Sequence, residues 1–270
     1  MLVAAAVCPC PPLLVPEVAV GAAPELDGLR AACDEAVRTV LAARPEVIVV
    51  VGPGETSGTG VVPYAQGAPG TFRPYGVALD VSLGLPPDVT VGDAGPEAPG
   101  DRLPLSLAVG AWLLDRAGLQ GPVRGLQVPD DADPAANAAT GAELARLADR
   151  VGLLVMGDGS ACRGVKAPGY LDERAADVDA RIAAALGGAG AGSGVDVGAR
   201  AGAGAGAGAD AGAGSGGFLA ELDAALAREL MISGRSPWQV LGGASAGDLT
   251  GRLLYDEAPY GVGYFVASWA

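Results

Sequence analysis

At 270 residues, half of them hydrophobic, the chain is long enough to bury a substantial core, and one large domain is the expectation. A formal charge of -14, with 17 Lys and Arg against 31 Asp and Glu, argues against nucleic-acid binding, and 4% aromatics leave little for stacking single strands. The chain contains no histidine at all, so no residue of its own supplies an imidazole as metal ligand or as neutral-pH acid and base.

Along the chain, Leu2 to Val7 reads as a first buried strand. No Lys or Arg precedes it and Pro9, Pro11 and Pro12 follow at once, so a signal peptide is not expected and a cytoplasmic location is. Leu26, Leu29, Cys33, Val37, Val40 and Leu41 then recur at spacings of three and four, one face of a helix. Val47 to Val51 follows as a fully buried strand, far short of the roughly 20 apolar residues that cross a bilayer. These three elements make a βαβ unit of the kind found in covered parallel sheets.

Further on, residues 105–117 predict a helix, Val123 to Val128 a strand, Ala139 to Arg150 a helix and Val151 to Met156 another strand. Leu171, Val178, Ile182 and Leu186 mark a helix after that. Residues 187–217 hold 14 Gly and 10 Ala among 31 positions, which offers nothing to bury and predicts a disordered insertion within a single domain spanning 1–270. Phe218, Leu222, Leu226 and Leu230 repeat every four residues, another core-facing stripe, and residues 250–255 and 261–268 read as closing strands. The predicted fold is α/β, with a mostly parallel central sheet and helices on both faces.

Four polar or Gly-rich segments directly follow buried strands, where open α/β sheets bind ligands. They are Cys8 to Pro12, Gly52 to Gly60, Gly157 to Cys162 with its continuation to Lys166 and Arg174, and Tyr255 to Gly261. Among their residues Cys10, Gly54, Glu55, Cys162, Asp256, Glu257 and Tyr260 are candidates to line a pocket. Asp158, Ser160 and Lys166 are the catalytic candidates, with Cys162 beside them. Without histidine a serine nucleophile needs a lysine base, and Lys166 is the only lysine; the plainer reading is that Asp158 and Ser160 cap turns. Cys8, Cys10, Cys162 and Asp158 also suggest a thiolate–carboxylate zinc site, although a core role for the thiols is simpler. The loop at 52–60 lacks the Gly-Lys-Ser/Thr ending of a phosphate-binding loop, and Glu55 would repel an anion.

Three of these segments carry a resemblance. Cys10-Pro11-Pro12 after the first strand, Val49-Val50-Val51-Gly52-Pro53-Gly54, and Gly157-Asp158-Gly159-Ser160-Ala161 are similar, in order, to histidine-bearing turns of the catalytic-subunit-like superfamily of class III extradiol ring-cleavage dioxygenases, which includes the Memo-like proteins. The resemblance implies that architecture. It would place the iron ligands at Cys10 and Gly54, the acid–base group at Ala161, and the carboxylate ligand between Leu230 and Trp238, a stretch with Glu229 as the only acidic residue at its edge. The family's Fe(II) needs two imidazoles and a carboxylate, and this chain has no imidazole to give. The expectation is therefore a member that has lost iron and ring cleavage, needs no cofactor, and keeps a pocket for a small molecule or a protein partner. An enzyme of altered chemistry through Asp158, Ser160, Lys166 or Cys162 is the alternative. Relatives of this kind often assemble, so a homo-oligomer is possible, while nucleic-acid and membrane partners are not expected.

Overall fold

The structure, a computed structural model, describes residues 1–54, 60–85, 102–188, 215–245 and 249–270. Glu55 and all of the Gly/Ala segment except residues 187–188 and 215–217 lie outside the described residues. Within them the fold is α/β. In chain order come β1 (Leu2–Cys8), α1 (Pro16–Ala19), α2 (Asp27–Ala42), β2 (Val47–Gly54), the short strands β3 (Val62–Tyr64), β4 (Pro69–Thr71) and β5 (Asp80–Ser82), α3 (Leu105–Arg116), β6 (Val123–Pro129), α4 (Pro134–Leu144), β7 (Val151–Met156), α5 (Arg174–Leu186), α6 (Ser215–Glu221), α7 (Ala224–Glu229), α8 (Arg235–Ala244), β8 (Gly251–Glu257) and β9 (Tyr264–Trp269).

Seven strands form one sheet in the order β3-β6-β2-β7-β1-β9-β8, and β4 and β5 pair separately. The central four, β6, β2, β7 and β1, are parallel; β3 joins one side antiparallel, and β9 and β8 the other. Strands from before and after the Gly/Ala segment thus share one sheet. The period-two alternation of strands divides the core into two layers. Ala4, Ala6 and Cys8 of β1, with Ile48 and Val50 of β2, face Leu29, Cys33, Val37 and Val40 of α2 and Leu107 and Leu114 of α3. Ala5 and Val7, with Val49 and Val51, face Val178 and Ile182 of α5 and Trp238 and Leu241 of α8. With both faces covered, the aliphatic runs of β2 and β7 are buried almost throughout.

Several boundaries differ from the sequence expectation for identifiable reasons. The helix expected over Ala139 to Arg150 is α4, which starts at Pro134: the Asp133 carboxylate accepts the N–H groups of Ala135 (2.8 Å) and Ala136 (3.3 Å), and Pro134 suits the first helical position. The four-residue stripe from Phe218 to Leu230 is two helices, because Asp223 caps a fresh start by accepting the Leu226 N–H at 2.9 Å. Leu171 lies outside α5 and is exposed. Tyr255, Asp256 and Glu257 belong to β8 and not to the connecting loop. The three-residue strands β3 and β4 were illegible because each contains a proline, Pro63 or Pro69, which ordinarily argues against a strand. No helix among the described residues is long and apolar enough to cross a membrane.

Candidate functional site

Each of the four parallel strands ends at the same edge of the sheet, and the chain must leave that edge in a loop. The loops after β1, β2, β6 and β7 open around a cleft of about 840 Å³, completed by the start of α3, by α7 and the turn behind it, and by the start of β9. A cavity of this size fits a small organic molecule. Its walls are apolar at Pro11, Pro12, Pro53, Leu105, Ile232 and Val262, and its polar groups come from Cys10, Gln127, Asp158, Ser233, Tyr264 and a few others.

Asp158 is the chemical centre of this cleft. The Gly157 N–H still continues the sheet by donating to the Cys8 carbonyl at 3.0 Å, which brings residue 158 beside the turn after β1. There Asp158 Oδ1 accepts the Cys10 N–H at 2.8 Å, the Asp158 N–H donates to Ser233 Oγ at 2.9 Å, and the Asp158 carbonyl accepts the Gly234 N–H at 3.0 Å. Burial pushes its carboxyl up to about 6, against the lowering effect of the Cys10 N–H. Burial likewise holds the Cys10 thiol well above its ordinary value, with the neighbouring Asp158 charge adding to it. The Tyr264 phenol is raised by burial first and then by Asp158 and Cys10, so it too stays protonated near neutrality. The cleft therefore presents one carboxyl that titrates near neutrality between two groups that do not.

The turn carrying Ser233 is pinned by Arg235, which is buried. Its Nε donates to the Leu222 carbonyl at 2.7 Å and its Nη1 to the Ala132 carbonyl at 2.9 Å, tying the start of α8 to the loop after β6 and to the joint between α6 and α7. Met231, in the same turn and lining the cleft, holds a left-handed φ of 55°. Such a conformation in a non-glycine residue persists only where its surroundings fix it.

The sequence-predicted residues separate into two groups. Cys10, Gly54 and Asp158 line the cleft together. Ser160 does not: it is fully buried on the other side of its loop, its N–H donating to Asp179 Oδ1 at 2.9 Å and its hydroxyl to Asp179 Oδ2 at 2.8 Å. Arg163 completes that cluster with an ion pair to Asp179 at 3.0 Å. Lys166 is exposed, so no serine–lysine pair forms. Cys162 is buried in the second core layer with its Sγ 3.5 Å from the Leu230 carbonyl. Asp256, Glu257 and Tyr260 are exposed and away from the cleft; the Tyr260 hydroxyl donates to Glu25 at 2.7 Å and that of Tyr255 to Glu257 at 3.0 Å. Among the described residues, no three His, Cys, Asp or Glu side chains converge as a metal site would require.

The positions that the dioxygenase resemblance assigns to iron chemistry do not supply its donors. Cys10 and Ala161 line the cleft, but Glu229 sits outside it, exposed and paired with Arg174 at 2.9 Å. At Gly54 the space that a Cβ would take is filled by the Gln127 side chain, which accepts the Tyr64 hydroxyl at 2.8 Å through Oε1. One thiol and no imidazole do not make a two-imidazole, one-carboxylate iron site.

Sequence reasoning missed Ser233, Tyr264 and Asp179. Tyr264 opens an alternating strand, and Asp179 falls on the buried stripe of α5 with Ala175, Val178, Ile182 and Leu186, where a carboxylate signals a buried partner. Ser233 carried no such signal. The arrangement is an α/β fold with a covered, mostly parallel central sheet and a cleft beyond the carboxyl ends of its parallel strands. The chain matches no protein-family model and no curated relative. Among solved structures it is similar in fold to the crystal structure of the uncharacterized protein JW3007 from Escherichia coli K12, with a TM-score of 0.52 and 14% identity over 98% of this chain and 99% of that one.

Proposed function

We propose that the protein is a scaffold of the extradiol-dioxygenase catalytic-subunit-like type that works without iron and binds a small organic molecule in the cleft at the carboxyl ends of β1, β2, β6 and β7. The observation that carries this reading is the cleft itself: about 840 Å³, with proline and aliphatic walls around the half-buried Asp158. The resemblance of the three strand-end turns supplies the family; the missing imidazoles, Gln127 in the space beside Gly54 and the outward Glu229 support the loss of its metal chemistry. Of the four residues weighed for an altered enzyme, only Asp158 faces the cleft, so the binding reading is preferred.

The test is a fragment screen by ligand-observed NMR on the full chain and on Leu105→Trp, which fills the cleft from its partly exposed edge. Fragments should bind the parent chain and lose at least tenfold in affinity in the variant. Equal binding to both would overturn the reading. Anaerobic loading with Fe(II) followed by catechol and air should give no ring-opened product, and its appearance would overturn the loss of iron chemistry.

A further inference from the structure

The carboxyl of Asp158 is half satisfied. Oδ1 accepts the Cys10 N–H at 2.8 Å, while the contact to Oδ2 is the Cys10 Sγ at 4.0 Å, the outer limit for a thiol donor. Among the described residues no Lys or Arg lies within ion-pair distance of it. Other carboxylates of the chain differ in this respect: Asp179 has Arg163, Asp172 has Arg174, Asp80 has Arg73 and Asp34 has Arg116. The one cationic side chain among the described residues lining the cleft, Arg228, is exposed and makes no ion pair with Asp158, and the lining also includes the acidic Asp130. A carboxylate held in an apolar cavity without a cation is costly, and a partner that brings one recovers that cost.

Resting on the reading of the cleft as a ligand pocket, we infer that it takes an alkyl or arylalkyl amine, whose ammonium group sits on Asp158 Oδ2 and whose apolar body lies against Pro11, Pro12, Pro53, Leu105, Ile232 and Val262. An ammonium donates to Oδ2 and neutralises it in one contact, which a hydroxyl cannot do. The cleft gives the rest of such a molecule apolar surface with few competing polar groups. A net charge of -14 favours approach of a cation over an anion.

The experiment is isothermal titration of the full chain with three probes of matched body: 2-phenylethylamine, 2-phenylethanol and 3-phenylpropionate. At pH 7.5 the amine should bind at least tenfold tighter than the alcohol. Asp158→Asn keeps an oxygen for the Cys10 N–H but turns the other acceptor into a donor, so this margin should vanish while the alcohol still binds. As a control that needs no variant, lowering the pH from 7.5 to 4.5 should weaken the amine at least tenfold and the alcohol less than twofold. Cys10, Tyr264, Asp130 and Arg228 are the other titratable groups facing the cleft. An alcohol or carboxylate that binds as tightly as the amine, or an amine margin that survives Asp158→Asn, overturns the inference. If the alcohol or the carboxylate binds as tightly as the amine and is lost in Leu105→Trp, the pocket reading stands and the amine assignment alone fails; if no probe binds, both fail.

Discussion

Asp158 and Asp179 face the same short loop and have opposite fates. Asp179 is wholly enclosed, with the Ser160 N–H, the Ser160 hydroxyl and Arg163 upon its two oxygens. Gly159 and Gly263 press against it so closely that a Cβ at either would collide with the carboxylate or its surroundings. Asp158, two residues from Ser160, keeps one firm hydrogen bond to its side chain and faces a cavity. The difference teaches that a polar motif after a strand is not one site. Beyond the end of β7, Asp158 turns into the cleft and Ser160 turns into the Asp179 cluster; the second builds structure and the first stays open to chemistry.

That comparison is broken most sharply at Asp179. Asp179→Ala removes the acceptor for three bonds and strands Ser160 in the core, so equilibrium unfolding in urea should show a loss of about 3–5 kcal/mol. Asp158→Asn should do the reverse. The carboxyl's value of about 6 in the folded chain lies above its ordinary 3.8, so the folded chain holds the proton more tightly. Its contribution to stability is fully present below about pH 4 and lost as pH rises through 6. The variant should therefore gain up to about 3 kcal/mol over the parent at pH 7.5 and nothing at pH 4, read from paired urea curves. An equal gain at both values would mean that Asp158 is not held toward neutrality. Ser160→Ala, which leaves the Arg163 ion pair and the backbone N–H in place, should cost about 1–2 kcal/mol in the same assay. Lys166→Ala should shift neither stability beyond about 0.5 kcal/mol nor ligand affinity, because an exposed side chain away from the cleft touches nothing that either depends on.

The scaffold was legible because its signals are local. The runs in β1, β2, β6 and β7 and the stripes in α2 and α5 need only period-two and period-3.6 patterns to be found, and the location of the loops beyond the strand ends followed from them. The candidate site was legible in part. Cys10, Gly54 and Asp158 meet because their strands are parallel neighbours. What separates Asp158 from Ser160 is what each turns into beyond the end of β7, and that depends on α5 placing Asp179 nineteen residues later and on Arg235 fixing the turn at Ser233. Asp256 and Glu257 were misplaced because strand β8 runs further than its apolar pattern, extending through paired backbone opposite Phe265 and Tyr264.

The packing at Gly54 also constrains how this chain can change. Gln127 and any side chain at position 54 compete for one volume, so a mutation that adds a side chain at 54 is penalised unless 127 has first become small, and shrinking 127 alone releases the Tyr64 hydroxyl from its partner. The two positions are thus coupled: each single step is unfavourable, and a side chain at 54 fits only together with a smaller one at 127. Placing a larger side chain at that strand end therefore takes two coordinated substitutions, not one.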